Sequence, residues 1–167
     1  MPERVPKTTV LLASFNSESF LAQQLQSILD QTRKPSEIII SDDSSIDGTS
    51  AIIERLSQQR ETSVCIEEHA NPPCKRGLYS NFRNLFRIAL QVSSEVYLLS
   101  DHDDIWFPRK IETSVMALQS LNEKIGAENS PLLVYSDLAV VNEHGSTVST
   151  SFAEYQGLPD PHAQPLA

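Results

Sequence analysis

Val96-Tyr97-Leu98-Leu99-Ser100-Asp101-His102-Asp103-Asp104-Ile105-Trp106 is the stretch that decides how this chain is read. A short apolar run reads as a buried strand, and it leads directly into three carboxylates within four residues. Like charges that close repel, so such a group at the end of a buried strand needs a cation or open solvent. Mg²⁺ or Mn²⁺ takes oxygen donors of this kind. Alternate residues of an extended chain point the same way, so Asp101 and Asp103 can face one ion. The competing account is a solvated acidic turn, with Asp104 as a first-turn acid of the helix that Pro108 opens. His102 has no His or Cys neighbour in sequence and reads as a spacer or a solvent-facing residue.

Outward from this stretch, short apolar runs alternate with amphipathic ones. Val10-Leu11-Leu12-Ala13 reads as a strand that ends in the polar turn Ser14-Phe15-Asn16-Ser17. Residues 18–31 read as a helix with Leu21, Leu25, Ile28 and Leu29 on one face. Ile38-Ile39-Ile40 is a second strand, bounded by Ser41-Asp42-Asp43-Ser44-Ser45. Asp47 is the expected N-cap of a second helix, with Ile52, Ile53 and Leu56 facing inward. Residues 63–66 suit a third strand, and Phe82, Leu85, Phe86, Ala89 and Leu90 mark a third helix. Ile111, Val115, Leu118 and Ile125 line a fourth. Residues 132–135 and 139–141 suggest further strand, with Glu143-His144-Gly145 as a turn. The last stretch, from about Ser151, shows little periodicity.

Strand–helix alternation of this kind predicts an α/β fold: a mostly parallel sheet with helices on both faces, three layers α/β/α, with 96–99 as a central strand. Ligands of such sheets bind beyond the C-terminal strand ends. Three polar strand ends then meet on one edge: Ala13-Ser14-Phe15-Asn16, Asp42-Asp43 and Asp101-His102-Asp103-Asp104. A carboxylate of Asp42-Asp43 can accept hydrogen bonds from a base or ribose, or can simply shape a turn. Phe15 can pack on a base or close the core. Arg76 before the third helix can attract a phosphate together with the helix N-terminus, or belong to a solvated basic loop. Asp137 follows a strand-like run and reads equally as an edge carboxylate or a turn acid.

The 167 residues suffice for one domain, and 40% hydrophobic content allows a packed core. A net charge of −9 argues against a nucleic-acid partner, which needs a basic footprint. A nucleotide diphosphate neutralised by a cation remains compatible with that charge. Cys65 and Cys74 form no C-x-x-C pair, so no zinc site or disulfide framework is indicated. No apolar run is long enough to span a bilayer and no signal-peptide pattern opens the chain. The expected compartment is the cytoplasm, with peripheral association at the membrane's inner face left open.

With these residues in place, the chain resembles family 2 glycosyltransferases of the GT-A (Rossmann-like) fold. The resemblance rests on three ordered segments: Val10-Leu11-Leu12-Ala13-Ser14-Phe15-Asn16, then Ile38-Ile39-Ile40-Ser41-Asp42-Asp43-Ser44-Ser45-Ile46-Asp47-Gly48-Thr49, then Ser100-Asp101-His102-Asp103-Asp104-Ile105-Trp106. The last is similar to bacterial rhamnosyltransferase-like members. It covers residues 8–152. The resemblance implies inverting, metal-dependent transfer from a nucleotide-diphospho-sugar, UDP- or dTDP-linked, to a hydroxyl of a saccharide or lipid-linked acceptor, in cell-surface polysaccharide synthesis. It places Ala13 and Phe15 at the nucleoside, Asp43 on the base, Asn16, Arg76 and Asn81 at the donor, and Asp101 and Asp103 on the Mg²⁺ or Mn²⁺. The family's general base is a carboxylate further downstream, and none is matched before residue 167. The expectation is therefore a donor-binding GT-A half over 1–152, truncated on its C-terminal side, with an irregular tail over 153–167. A non-catalytic nucleotide-sugar-binding module, or an inactive fragment, is the alternative. A phosphoacceptor signalling domain is disfavoured because Asn16 stands where its acidic pair would follow the first strand.

Overall fold

The computed structural model describes residues 5–58, 64–70, 77–126 and 130–158. The elements are β1 (Thr8–Ser14), α1 (Leu21–Leu29), β2 (Glu37–Asp42), α2 (Thr49–Ser57), β3 (Cys65–Ala70), α3 (Leu78–Ala89), β4 (Val96–Ser100), α4 (Lys110–Ile125), β5 (Val140–Val141), β6 (Thr147–Ser149) and α5 (Phe152–Tyr155). The chain divides into two compact units, Met1–Met116 and Ala117–Ala167.

The first unit is built on a parallel sheet of order β3-β2-β1-β4. Its two faces are covered as the alternation of strand residues requires. Val10, Leu12, Ile38, Ile40 and Leu98 face one way. They pack under Leu21, Leu25 and Ile28 of α1, Ile53 and Leu56 of α2, and Ile111 and Val115 of α4. Leu11, Ala13 and Ile39 face the other way, against Leu85 and Ala89 of α3. Each fully buried Leu or Ile contributes about 1.5–3 kcal/mol, so this two-sided core positions the strand ends rigidly. The fold is the expected α/β/α arrangement.

Several local expectations change. The central strand is β1, buried along its whole length, whereas β4 lies at an edge of the described sheet with Tyr97 and Leu99 exposed. Residues 132–135 form no strand, and Leu133 and Tyr135 are exposed. The third strand runs over Cys65–Ala70 rather than 63–66, because pairing with β2 continues to Asp42↔Ala70. As an edge strand it carries Glu67, Glu68 and His69, which hides it from a search for apolar runs. On α3 the inward stripe is Asn81, Leu85 and Ala89, so Phe86 and Leu90, one residue further round the helix, are 49% and 88% exposed. Ile111 and Val115 are buried on α4 as expected, but Ile125 is exposed.

The second unit holds the antiparallel pair β5–β6. Its turn is tied by Asn142 Oδ1, which accepts the His144 and Ser146 N–H groups at 3.0 Å each. Ser151 caps α5 by accepting the Glu154 N–H at 3.0 Å. Among the described residues no helix is long and apolar enough to cross a membrane.

Candidate functional site

Parallel strands deliver the loops after β1, β2 and β4 to one edge of the sheet, where a cleft of about 490 Å³ opens. That volume lies within the range of small-molecule sites. Ala13, Ser14 and Phe15 line it from β1, Asp43 from β2, Gly77, Leu78 and Asn81 from the start of α3, and Asp101 and His102 from β4.

The β1 and β2 loops are fastened to each other. The Asn16 N–H donates to Ser45 Oγ at 2.8 Å, and Asn16 Oδ1 accepts the Ile46 N–H at 3.1 Å. Asn16 holds a left-handed φ of 46°, a conformation that Asn tolerates better than most residues. The structure thus gives the Asn16 side chain a loop-joining role outside the cleft lining. The Ser17 N–H donates to Thr49 Oγ1 at 2.7 Å, and Thr49 Oγ1 to Asp47 Oδ1 at 2.5 Å. Gly48 occupies the N-cap position of α2, and Asp47 acts one residue earlier by accepting the Thr49 N–H at 3.1 Å. These bonds hold the Asp47 carboxyl below the usual carboxylate range, the Thr49 hydroxyl contributing most.

The two carboxylates of the β2 end do different things. Asp42 is taken up by its own turn: Oδ2 accepts the Ser45 N–H at 2.8 Å and Oδ1 the Ser45 hydroxyl at 2.6 Å. Asp43 is equally buried but borders the cleft, with Oδ2 accepting the Gly77 N–H at 2.6 Å. That bond ties the β2 end to the entry of α3. Gly77 has φ 107°, where a side chain would be strained. Asn81 donates from Nδ2 to the Ser14 carbonyl at 3.0 Å, and its buried Oδ1 has no hydrogen-bond partner among the described residues. Phe15 is 48% exposed and outside both core clusters, so it does not serve to close the core. Arg76 lies outside the described residues.

At the β4 end, His102 departs from the expected spacer. It is half-buried, and its Nδ1 sits 3.0 Å from Asp101 Oδ1. The hydrogen bond from His102 holds the Asp101 carboxyl below its ordinary range, and the same bond raises the imidazole against the opposing effect of burial. The repulsion expected of clustered carboxylates is thus answered partly by the hydrogen bond between His102 and Asp101. Asp104 is pushed up, by burial first and then by the charges of Asp103 and Asp101. The ligand atoms of Asp101, His102 and Asp103 lie within 4.8 Å of one another. Two carboxylates and an imidazole at this separation fit a divalent ion such as Mn²⁺, and Mg²⁺ would draw mainly on the oxygens. Asp137 does something else: its Oδ1 accepts the Leu138 and Ala153 N–H groups at 2.8 and 3.2 Å, within the second unit. Sequence reasoning missed His102, Gly77 and Leu78, none of which carries a pattern signal of its own.

A family model, "Glycosyl transferase family 2", matches residues 9–125. The dTDP-rhamnosyl transferase RfbG of Shigella flexneri is 31% identical over 121 residues, 71% of this chain and 40% of that protein. The Escherichia coli enzyme WfaP, named as a UDP-Glc:alpha-D-GlcNAc-diphosphoundecaprenol beta-1,3-glucosyltransferase, is 30% identical over 83% of this chain and 51% of its own length. Among solved structures, the mannosyltransferase PcManGT of Pyrobaculum calidifontis, in complex with GDP-Man and Mn²⁺, superposes with a TM-score of 0.58 at 21% identity. That match covers 68% of this chain and 32% of the mannosyltransferase, and it shows the shared GT-A fold. The chain thus spans from 40% to 51% of the two curated relatives named here.

Proposed function

The chain belongs to glycosyl transferase family 2, and from that premise we propose that its cleft binds a nucleotide-diphospho-sugar, UDP- or dTDP-linked, for metal-dependent, inverting transfer to a saccharide or lipid-linked acceptor hydroxyl. The observation that carries this reading is the convergence of Phe15, Asp43, Asn81 and the Asp101–His102–Asp103 group around one cleft at the C-terminal strand ends. The half-exposed Phe15 ring offers a stacking face for a base. Asp43, held by the Gly77 N–H, presents a fixed carboxylate to the base or ribose. Asp101 and Asp103 would hold the ion, and His102 would orient Asp101. When bound, the ion would neutralise charge developing on the departing diphosphate. Asp137, tied within its own turn and α5, supports local structure rather than deprotonation of the acceptor.

Titration calorimetry with UDP and with dTDP, each with and without Mn²⁺, tests this. Heat that requires the metal is expected for one of the two nucleotides. Folded protein that gives none with either would overturn the reading.

A further inference from the structure

Helix α1 and the turn just after it carry three polar side chains that face inward, Gln24 and Ser27 on the helix and Gln31 two residues beyond its end. Gln24 and Gln31 are 0% and 1% exposed, set among Leu21, Leu25 and Ile28. Gln24 and Ser27, three residues apart, share one face of α1, and Gln31 extends that polar line from the turn after the helix. A buried amide needs partners at both ends. Here the partners come mainly from one place, the segment that leaves β4.

In the amide orientation that satisfies both ends, Gln24 Oε1 accepts from Trp106 Nε1 at 3.3 Å and from Ser100 Oγ at 2.5 Å. Its Nε2 donates to the Asp104 carbonyl and, at 3.2 Å, to Ser27 Oγ. Ser27 Oγ accepts the Trp106 N–H at 3.0 Å. Gln31 donates to the Phe107 carbonyl at 2.8 Å and accepts the Ile111 N–H at 3.1 Å. The loop is therefore fastened from Ser100 to Ile111, on both sides of Asp103, to α1 and to the turn after it, and none of these bonds uses the Asp101 or Asp103 carboxylate.

We propose that Gln24, Ser27 and Gln31 are positioning residues for the metal-holding loop. They fix its backbone before an ion arrives, so that the ion meets ligands already in place rather than ordering a loop on binding. The inference rests on the metal reading given above. A purely structural latch would stabilise the fold and leave metal affinity alone.

Trp106 is the sole tryptophan, so its emission reports on this loop directly. Mn²⁺ affinity is read from the paramagnetic resonance of the free ion, in the full chain with UDP present. Ser27→Ala keeps a good helix former and removes the Trp106 N–H acceptor. It is expected to red-shift Trp106 emission without metal and to weaken Mn²⁺ affinity about tenfold, the low end for residues that orient ligands. Gln24→Met should do more where it folds, and Ser27→Thr, which keeps the hydroxyl, should restore both readouts. Ile53→Val trims the core under α2 and serves as the control. It should lower the melting temperature and leave emission and affinity unchanged. If Ser27→Ala lowers the melting temperature as Ile53→Val does, with Mn²⁺ affinity intact, the positioning role is overturned. If the parent chain binds no Mn²⁺, the metal reading has failed, and the latch is judged on metal-free emission alone: an unchanged Trp106 spectrum in Ser27→Ala overturns it too.

Discussion

Asp101, His102 and Asp103 are not unique in bringing three ligand-type atoms within 4.8 Å of one another; Glu37, Cys65 and Glu67 do the same. The first group follows the C-terminal end of β4, and the second sits where β2 and β3 begin. Because the strands are parallel, the two groups lie at opposite edges of the sheet. Their surroundings differ more than their spacing. The first borders the cleft and is backed by the polar stripe of α1. The second is already engaged: Glu37 accepts from the Thr9 hydroxyl at 3.4 Å, and Glu67 lies 3.4 Å from His69 Nε2. Partial desolvation first, and then the charges of Glu67 and Glu37, push the thiol of the exposed Cys65 up, which disfavours the thiolate that a metal would take. Short distances between donors therefore do not make a site. On the proposed reading, the strand end on which they fall and the cleft beside it set the first group apart.

The largest expected contrast lies between the two groups. Asp103→Ala should weaken Mn²⁺-dependent nucleotide binding by at least about 100-fold, exceeding the cost of losing an outer partner. Calorimetry reads this. Glu67→Gln should leave the same titration unchanged. The melting temperature of metal-free Asp103→Ala should hold or rise, since the Asp103 charge is among those that disfavour ionised Asp104. Equal losses in the two variants would break the comparison.

Next come effects confined to the cleft edge, which separate binding from folding. Phe15→Ala should cost about 2 kcal/mol of nucleotide affinity, within the range for base–aromatic stacking. It should barely change the melting temperature, because Phe15 is half-exposed and outside the core. Asp42→Ala should show the opposite pattern. It strands the Ser45 N–H and hydroxyl, costing about 1–2 kcal/mol of stability by chemical denaturation, and leaves nucleotide affinity unchanged at temperatures where the chain is folded.

This division shows what was legible in the sequence. The apolar runs of β1 and β2 and the acids that follow them were visible because burial on both faces writes itself as continuous Val, Ile and Leu. Asp42 and Asp43 could not be told apart, since their roles depend on Ser45 in one case and on Gly77, 34 residues away, in the other. The charged residues of β3 hide that edge strand from a search for apolar runs, whereas the apolar run of residues 96–99 reads as central although β4 lies at an edge of the described sheet. His102 was read as a spacer because its partner is an acid next to it rather than another His or Cys. The α1 latch does leave a signal in the sequence. Gln24 falls three residues after Leu21 and four before Ile28, in the middle of an apolar stripe, where an amide without partners would be costly. What the sequence could not supply was the identity of those partners, some 75–80 residues further on.

The smallest expected effect tests the quiet group. With Cys74 changed to Ser so that one thiol is read, Cys65 should react with a thiolate-selective reagent at neutral pH more slowly than an unperturbed cysteine. Its thiol is raised above the ordinary value, so the thiolate fraction is low at neutral pH and grows only as pH rises through the raised value. Glu67→Gln removes one of the charges responsible, so it should lower the thiol value and speed the reaction modestly, while Cys65→Ser should change stability by less than about 0.5 kcal/mol. Mn²⁺ should not protect Cys65 at concentrations that saturate nucleotide binding. Protection there would mean that the edge where the strands begin also takes the ion, and position beside the cleft would no longer distinguish the proposed site from the second group.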